Sequence, residues 1–211
     1  MFVALVPVKP PAVGKSRLAE LADDDRRALA AAFALDTVEA CHRAALVTEV
    51  LGITDDAGFA AELTAVGCAM IPDGTSHDLN ATLRLAAAEA RRRWPDLLPA
   101  ALLGDVPALK PDELDAALRN AAEDLPAFVA DADGFGTTLF ASTHDTFDPR
   151  FGPGSAAAHG AIARAIADPL PGLRRDIDDL NDLRAAWDLG LGPRTKKRAA
   201  SLLGDGPPTE D

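Results

Sequence analysis

"VPVKPPAVGKSRL", residues 6–18, closes an apolar run and ends in Gly14-Lys15-Ser16, the three residues that finish a phosphate-binding P-loop. A P-loop here makes the chain an NTPase; any other loop leaves a different α/β fold. The spacing G-x-x-x-x-G-K-[ST] requires a glycine five residues before Gly14, so that backbone N–H groups can curl around a phosphate. Lys9 occupies that position, and Pro7, Pro10 and Pro11 remove three amide donors from the segment. The P-loop reading is therefore weak. What the stretch does carry is Lys9, Lys15 and Arg17, three cations in an otherwise acidic chain. They read either as a solvated loop or as groups that neutralise a triphosphate, with arginine suited to bidentate phosphate contact and lysine to a point-charge role.

Outward from this stretch, β-rich runs alternate with alanine-rich helical patterns. The runs are "FVALVPV", "TEVLGIT", "CAMIP", "PAALLGDVP", "PAFVADA" and "TTLFAS"; the segments 23–42, 56–66, 78–93, 111–122 and 155–167 read as helices between them. This alternation predicts a doubly wound α/β domain, a mostly parallel sheet with helices on both faces. A chain of 211 residues fits one domain. Residues 1–190 are expected to form it, and 191–211, polar with glycine and proline, to be a flexible C-terminal tail.

A net charge of −12 argues against nucleic acid or a membrane surface as partner, since both are gripped by basic patches. An anionic small substrate stays compatible with that charge if a few cations or a metal are focused in one cleft. The opening "MFVALVPV" has no basic leader region and reads as a strand, no apolar stretch is long enough to span a bilayer, and Cys41 and Cys68 are too few for a disulfide framework. A cytoplasmic protein is expected.

In a doubly wound sheet, ligands sit beyond the carboxyl ends of the strands. "LLGDVPAL" puts Asp105 directly after a buried strand, where a carboxylate is costly unless a cation or amide donors meet it. A second acidic segment, "RRDIDDLNDL", holds Asp176, Asp178 and Asp179. One carboxylate from each segment makes a sparse oxygen site of the kind magnesium takes; the competing reading is helix capping and surface charge. Ser155, preceded by Gly152 and Gly154, reads as the N-cap of a helix with free N–H groups, an arrangement suited to an anion. Ser155 and His159 lie one helical turn apart, but a serine nucleophile also needs an orienting acid and a strained elbow, and neither is evident. His42, His77 and His144 are scattered without metal-ligand spacing.

Taken together, the segments "VPVKPPAVGKSRL", "DLNATL", "GDVPAL", "DGFGTTLF", "FGPGS" with His159 after it, and "DIDDLNDL" resemble the 2-phospholactate or phosphoenolpyruvate guanylyltransferases of coenzyme F-420 biosynthesis. The resemblance implies the nucleotide-diphospho-sugar-transferase-like fold and GMP transfer from GTP to phosphoenolpyruvate or 2-phospholactate, with magnesium and release of pyrophosphate. It also implies hand-over of the product to a downstream transferase of the pathway. Carried over by position, Lys9, Lys15 and Arg17 form the triphosphate loop, with Lys15, Arg17 and Asp105 catalytic. Leu79 and Asn80 border the base. Asp105 and Asp178, or Asp176 in place of the latter, hold the metal, and Thr137, Gly152 and Ser155 hold the phosphorylated three-carbon acid. Thr138 stands where relatives often have asparagine. Two other classes share parts of this pattern: a molybdenum-cofactor or sugar-phosphate nucleotidylyltransferase, whose glycine-rich L-x-A-G-x-x-x-R loop is absent, and a GTP-binding module without turnover.

Overall fold

The computed structural model describes residues 1–8, 18, 21–75 and 78–203. Its strands are β1 (Phe2–Pro7), β2 (Val47–Ile53), β3 (Ala69–Ile71), β4 (Leu98–Leu102), β5 (Ala127–Ala130), β6 (Thr137–Ala141) and β7 (Arg164–Ala165). They form one sheet in the order β3-β2-β1-β4-β6-β5-β7. The helices are α1 (Asp23–Arg43), α2 (Ala57–Ala65), α3 (Leu79–Arg93), α4 (Pro111–Glu123), α5 (Ser155–Gly160), α6 (Pro171–Arg174), α7 (Leu180–Leu189) and α8 (Pro193–Leu203).

The near-continuous apolar β1 is buried on both faces because successive side chains point to opposite sides. Val3 and Leu5 pack with Leu83, Ala86, Ala87 and Ala90 of α3. Phe2, Ala4 and Val6 pack in the opposite layer with Ala34 and Val38 of α1 and Leu114 and Leu118 of α4. This is the expected α/β arrangement with helices on both faces. β1 runs parallel to β2 and β4, and β2 parallel to β3. β6 is antiparallel to both its neighbours, β4 and β5. The cause is local: Asp131 takes the amides of Phe135 (2.9 Å) and Gly136 (2.6 Å) and closes a turn too short for a parallel crossover. Consequently Thr137, at the start of β6, lies at the same edge of the sheet as the carboxyl ends of β1, β2 and β4.

Two expectations are corrected. The helix expected over 155–167 ends at Gly160, after which Arg164 N–H donates to Pro126 O and Ile166 N–H to Phe128 O, so the chain pairs with the open edge of β5 as β7. Strand pairing at that edge overrides the alanine-rich helical pattern. The stretch expected to be a flexible tail contains α8, which packs on α1 with Thr195 and Ala199 fully buried. The buried Asp36 of α1 caps it, accepting from the amides of Arg194 (3.2 Å) and Thr195 (2.7 Å) and from the Arg194 guanidinium. Among the described residues, no helix is long and apolar enough to cross a membrane.

Candidate active site at the carboxyl edge of the sheet

The two acidic segments meet. Ile177 N–H donates to the carbonyl of Asp105 at 3.0 Å, which sets "GDVPAL" beside "DIDD" although the two are far apart in sequence. Ile177 is fully buried in a cluster with Leu18, Phe33 and Ala108, while Asp105, Asp176 and Asp178 are all half-buried. Asp176 and Asp178 flank the buried Ile177 in sequence, and both are only partly buried.

What holds this junction is α6. Gly172 lies so close to "GDVPAL" that a Cβ on it would collide with the Ala108 carbonyl oxygen. Glu113, in the first turn of α4, accepts the amides of Gly172 (3.2 Å) and Leu173 (2.9 Å). The Arg174 guanidinium donates to the carbonyls of Ala130 (2.9 Å) and Ile166 (2.6 Å), tying α6 to β5 and to the residue after β7.

Helix capping accounts for part of the acidic segment. Asp179 is the N-cap of α7 and accepts from the amides of Asn181 and Asp182, while Asp182 accepts from the amides of Asp178 and Asp179. This reciprocal capping box is built from Asp179 and Asp182, not from the side chains of Asp176 or Asp178. The capping reading is thus correct for part of the segment. No group of three or more His, Cys, Asp or Glu side chains able to hold a metal occurs among the described residues. The donor set on offer is two segments of carboxylate oxygen.

The second wall is assembled around His159, which is fully buried. Its Nδ1 lies 2.9 Å from Thr137 Oγ1, and its Nε2 accepts the backbone N–H of Arg150 at 2.9 Å. The imidazole stacks on Phe140 (centroids 4.7 Å apart) and meets Phe151 edge-on (5.1 Å) and Phe128 at 5.7 Å. Burial pushes its pKa down to about 4, so the ring is neutral at physiological pH. Thr137 and Ser155 are themselves buried.

The Ser155 expectation changes in detail. The N-cap of α5 is Gly154, whose φ of 73° favours glycine, and Ser155 is the first helical residue. The amides of Ser155 and Ala156 are already taken, by Gly152 O (3.0 Å) and Phe135 O (3.1 Å). The loop and the 131–136 turn supply the carbonyls that satisfy these two donors, so neither amide is free for an anion. These bonds fix the spacing of Gly152, Ser155 and the 131–136 turn.

Asn80 is drawn into the same wall. Its side chain closes both hydrogen bonds on the backbone of Phe151, donating to the carbonyl (2.9 Å) and accepting from the amide (2.7 Å). Leu79 packs against the cluster that contains Phe140 and Phe151. The Leu79-Asn80 segment expected to border a base is therefore joined to the Gly152 and Ser155 loop, and the amide of Asn80 orients that loop. Lys9, Lys15 and Arg17 lie outside the described residues. Leu18, next to Arg17 in sequence, is fully buried in the cluster that holds Ile177.

The sequence reading missed three clamps: His159 on Thr137 and Arg150, Asn80 on Phe151, and Arg174 on Ala130 and Ile166. Only Asn80 left a signal. An asparagine just inside a helix that Asp78 already caps is a poor helix former, which points to another use.

Comparison with known proteins bears on family and fold. A phosphoenolpyruvate guanylyltransferase of Thermomonospora curvata is 48% identical over 209 residues, covering 98% of this chain and 92% of that protein. Among solved structures, a protein of Desulfovibrio desulfuricans G20 described as a nucleotide-diphospho-sugar transferase superposes with a TM-score of 0.72 at 18% identity, covering 96% of this chain and 97% of that one. Rv0371C of Mycobacterium tuberculosis H37Rv, solved in complex with manganese, gives a TM-score of 0.55 at 18% identity, over 89% of this chain and 99% of that one. At such identities the two structures share the fold with this chain, the nucleotide-diphospho-sugar-transferase-like one. Residues 2–171 match the family described as Guanylyl transferase CofC like, and with that match and the 48% relative the chain belongs to this family of guanylyl transferases.

Proposed function

We propose that the protein transfers GMP from GTP to the phosphate of phosphoenolpyruvate, releasing pyrophosphate and forming enolpyruvyl-diphospho-5'-guanosine for coenzyme F-420 biosynthesis in the cytoplasm. The observation that carries this reading is the meeting of Asp105 with Asp176 and Asp178 at the Ile177 hydrogen bond, at the sheet edge where Thr137 begins β6. β4 and β6 join the two walls there: Leu103 N–H donates to Thr138 O at 3.0 Å, two residues before Asp105 and one after Thr137.

Two polyanions must be aligned against their mutual repulsion, and the residues divide that work. Lys9, Lys15 and Arg17 take the triphosphate, with Lys15 and Arg17 opposing charge that grows on the departing pyrophosphate. Leu79 and Asn80 form the side toward the base. Thr137, Gly152 and Ser155 hold the acceptor. The carboxylate oxygens of Asp105 and of Asp178 or Asp176 suit a hard divalent cation that keeps water and phosphate oxygens as further ligands. Magnesium suits this donor set; held by Asp105 with Asp178 or Asp176, it would supply charge that neutralises the phosphates. The acceptor phosphate is already ionised near neutral pH, so its oxygen attacks the α-phosphorus without a general base. The neutral His159, with both ring nitrogens engaged, fits that absence.

The test is a pyrophosphate-release matrix of four nucleoside triphosphates against phosphoenolpyruvate, 2-phospholactate and 3-phosphoglycerate, with magnesium and with chelator. Release with GTP, phosphoenolpyruvate and magnesium together is expected. GTP hydrolysis to GDP without acceptor would return the first loop to the P-loop reading, and GTP binding without release under any pairing would make the chain a binding module. Asp105→Asn keeps size and removes charge, so turnover should fall about a hundredfold or more in a variant that melts like the parent.

A further inference from the structure

His159 has no place in the chemistry above, yet both of its ring nitrogens are engaged. The Arg150 backbone N–H can only donate, so His159 Nε2, 2.9 Å away, must present its lone pair. A neutral imidazole whose Nε2 accepts carries its proton on Nδ1, and Nδ1 is 2.9 Å from Thr137 Oγ1. The direction of the second hydrogen bond follows: His159 donates and the Thr137 oxygen accepts. One lone pair of Thr137 is thereby used, and the hydroxyl's own proton is left for it to donate.

We infer that His159 is a positioning residue for the acceptor: through Nδ1–H it fixes the Thr137 hydroxyl as a donor toward an anionic ligand, and through Nε2 it holds the 150–155 loop against β6. An alternative tautomer would have Thr137 donating to the ring and presenting lone pairs to a phosphate or carboxylate, a repulsive arrangement. The rings of Phe140, Phe151 and Phe128 around His159 hold the imidazole in one orientation. Asn80 reinforces the loop from the other side by clasping Phe151, the residue after Arg150. The inference rests on Thr137 contacting the acceptor.

Two readouts test it. In the unmodified protein, nitrogen-15 spectra of the imidazole should show His159 as the Nδ1–H tautomer at pH 7; an Nε2–H tautomer overturns the inference whatever the activity. In kinetics, asparagine can keep a donor near the Nδ1 position and glutamine an acceptor near Nε2. His159→Asn should leave the acceptor KM within about threefold, and His159→Gln should raise it about tenfold, with the KM for GTP changed less than twofold in both. The glutamine effect should vanish in a Thr137→Val background, since His159 acts through that hydroxyl. Equal effects of both variants on both substrates, or an undiminished glutamine effect without Thr137, would make His159 a packing residue only. If Thr137→Val itself leaves the acceptor KM unchanged, the acceptor-site assignment fails instead, and the tautomer measurement still stands alone.

Discussion

A neutral histidine at the centre of an aromatic cluster makes stability depend on pH in a direction that can be worked out. Burial lowers the His159 pKa from 6.5 to about 4 in the folded chain, so between those values the unfolded chain binds more protons. Stability from this residue is complete above the unfolded pKa, declines as pH falls toward the folded one, and changes no further below it. From pH 7 to pH 5 the loss is about 2 kcal/mol, taking 1.36 kcal/mol per pKa unit. Urea unfolding at the two pH values should show this loss in the parent, and His159→Gln should be much less sensitive over the same interval. Equal acid sensitivity in the two proteins would assign the effect to carboxylates.

At the scale of elements, the C-terminal helix shows how a remote side chain can do a local job. The first-turn amides of α8 are met by Asp36, in the middle of α1, across 159 residues in the case of Thr195. Gly192 is needed for the approach, because a Cβ there would run into the Asp36 side chain. Arg194 also pairs with Glu39 one turn further along α1, at 2.5 Å. Asp36→Ala removes a buried charged acceptor and leaves those amides unmet, which should cost about 2 kcal/mol. Thermal melting should fall accordingly, with turnover little changed at temperatures where the variant stays folded. An unchanged melting temperature would mean that α8 contributes nothing to the stability of the domain.

Across the whole molecule, the sheet is strongest at its centre and thin at its edges. β1 and β4 are central and apolar, whereas β3 at one edge spans three residues and β7 at the other only two. Amide exchange should accordingly be slowest in β1 and β4, where opening exposes the core on both faces, and fastest in β3 and β7. The candidate-site wall near β7 would then sit on a locally weaker part of the sheet and depend on its clamps for order, namely Arg174, Asn80 and His159. Protection of β7 equal to that of β1 would contradict this gradient.

The alternation of β-rich and alanine-rich runs was enough to determine the α/β class and the two covered faces, because side-chain periodicity is set by each segment alone. Residue chemistry likewise marked Asp105, the "DIDD" segment and the Gly152 and Ser155 loop, and the family resemblance added Thr137 to them. The tertiary structure decided what those residues do to one another: that Asp105 meets Ile177, that Asp179 and Asp182 cap while Asp176 and Asp178 flank Ile177, that Asn80 clasps Phe151 across 71 residues, and that Asp36 docks a helix where a tail was expected. It also turned residues 164–165 into a strand. Each of these is a hydrogen bond or pairing between segments distant in sequence, whose energy depends on where the partner lies in space, so no local pattern records it.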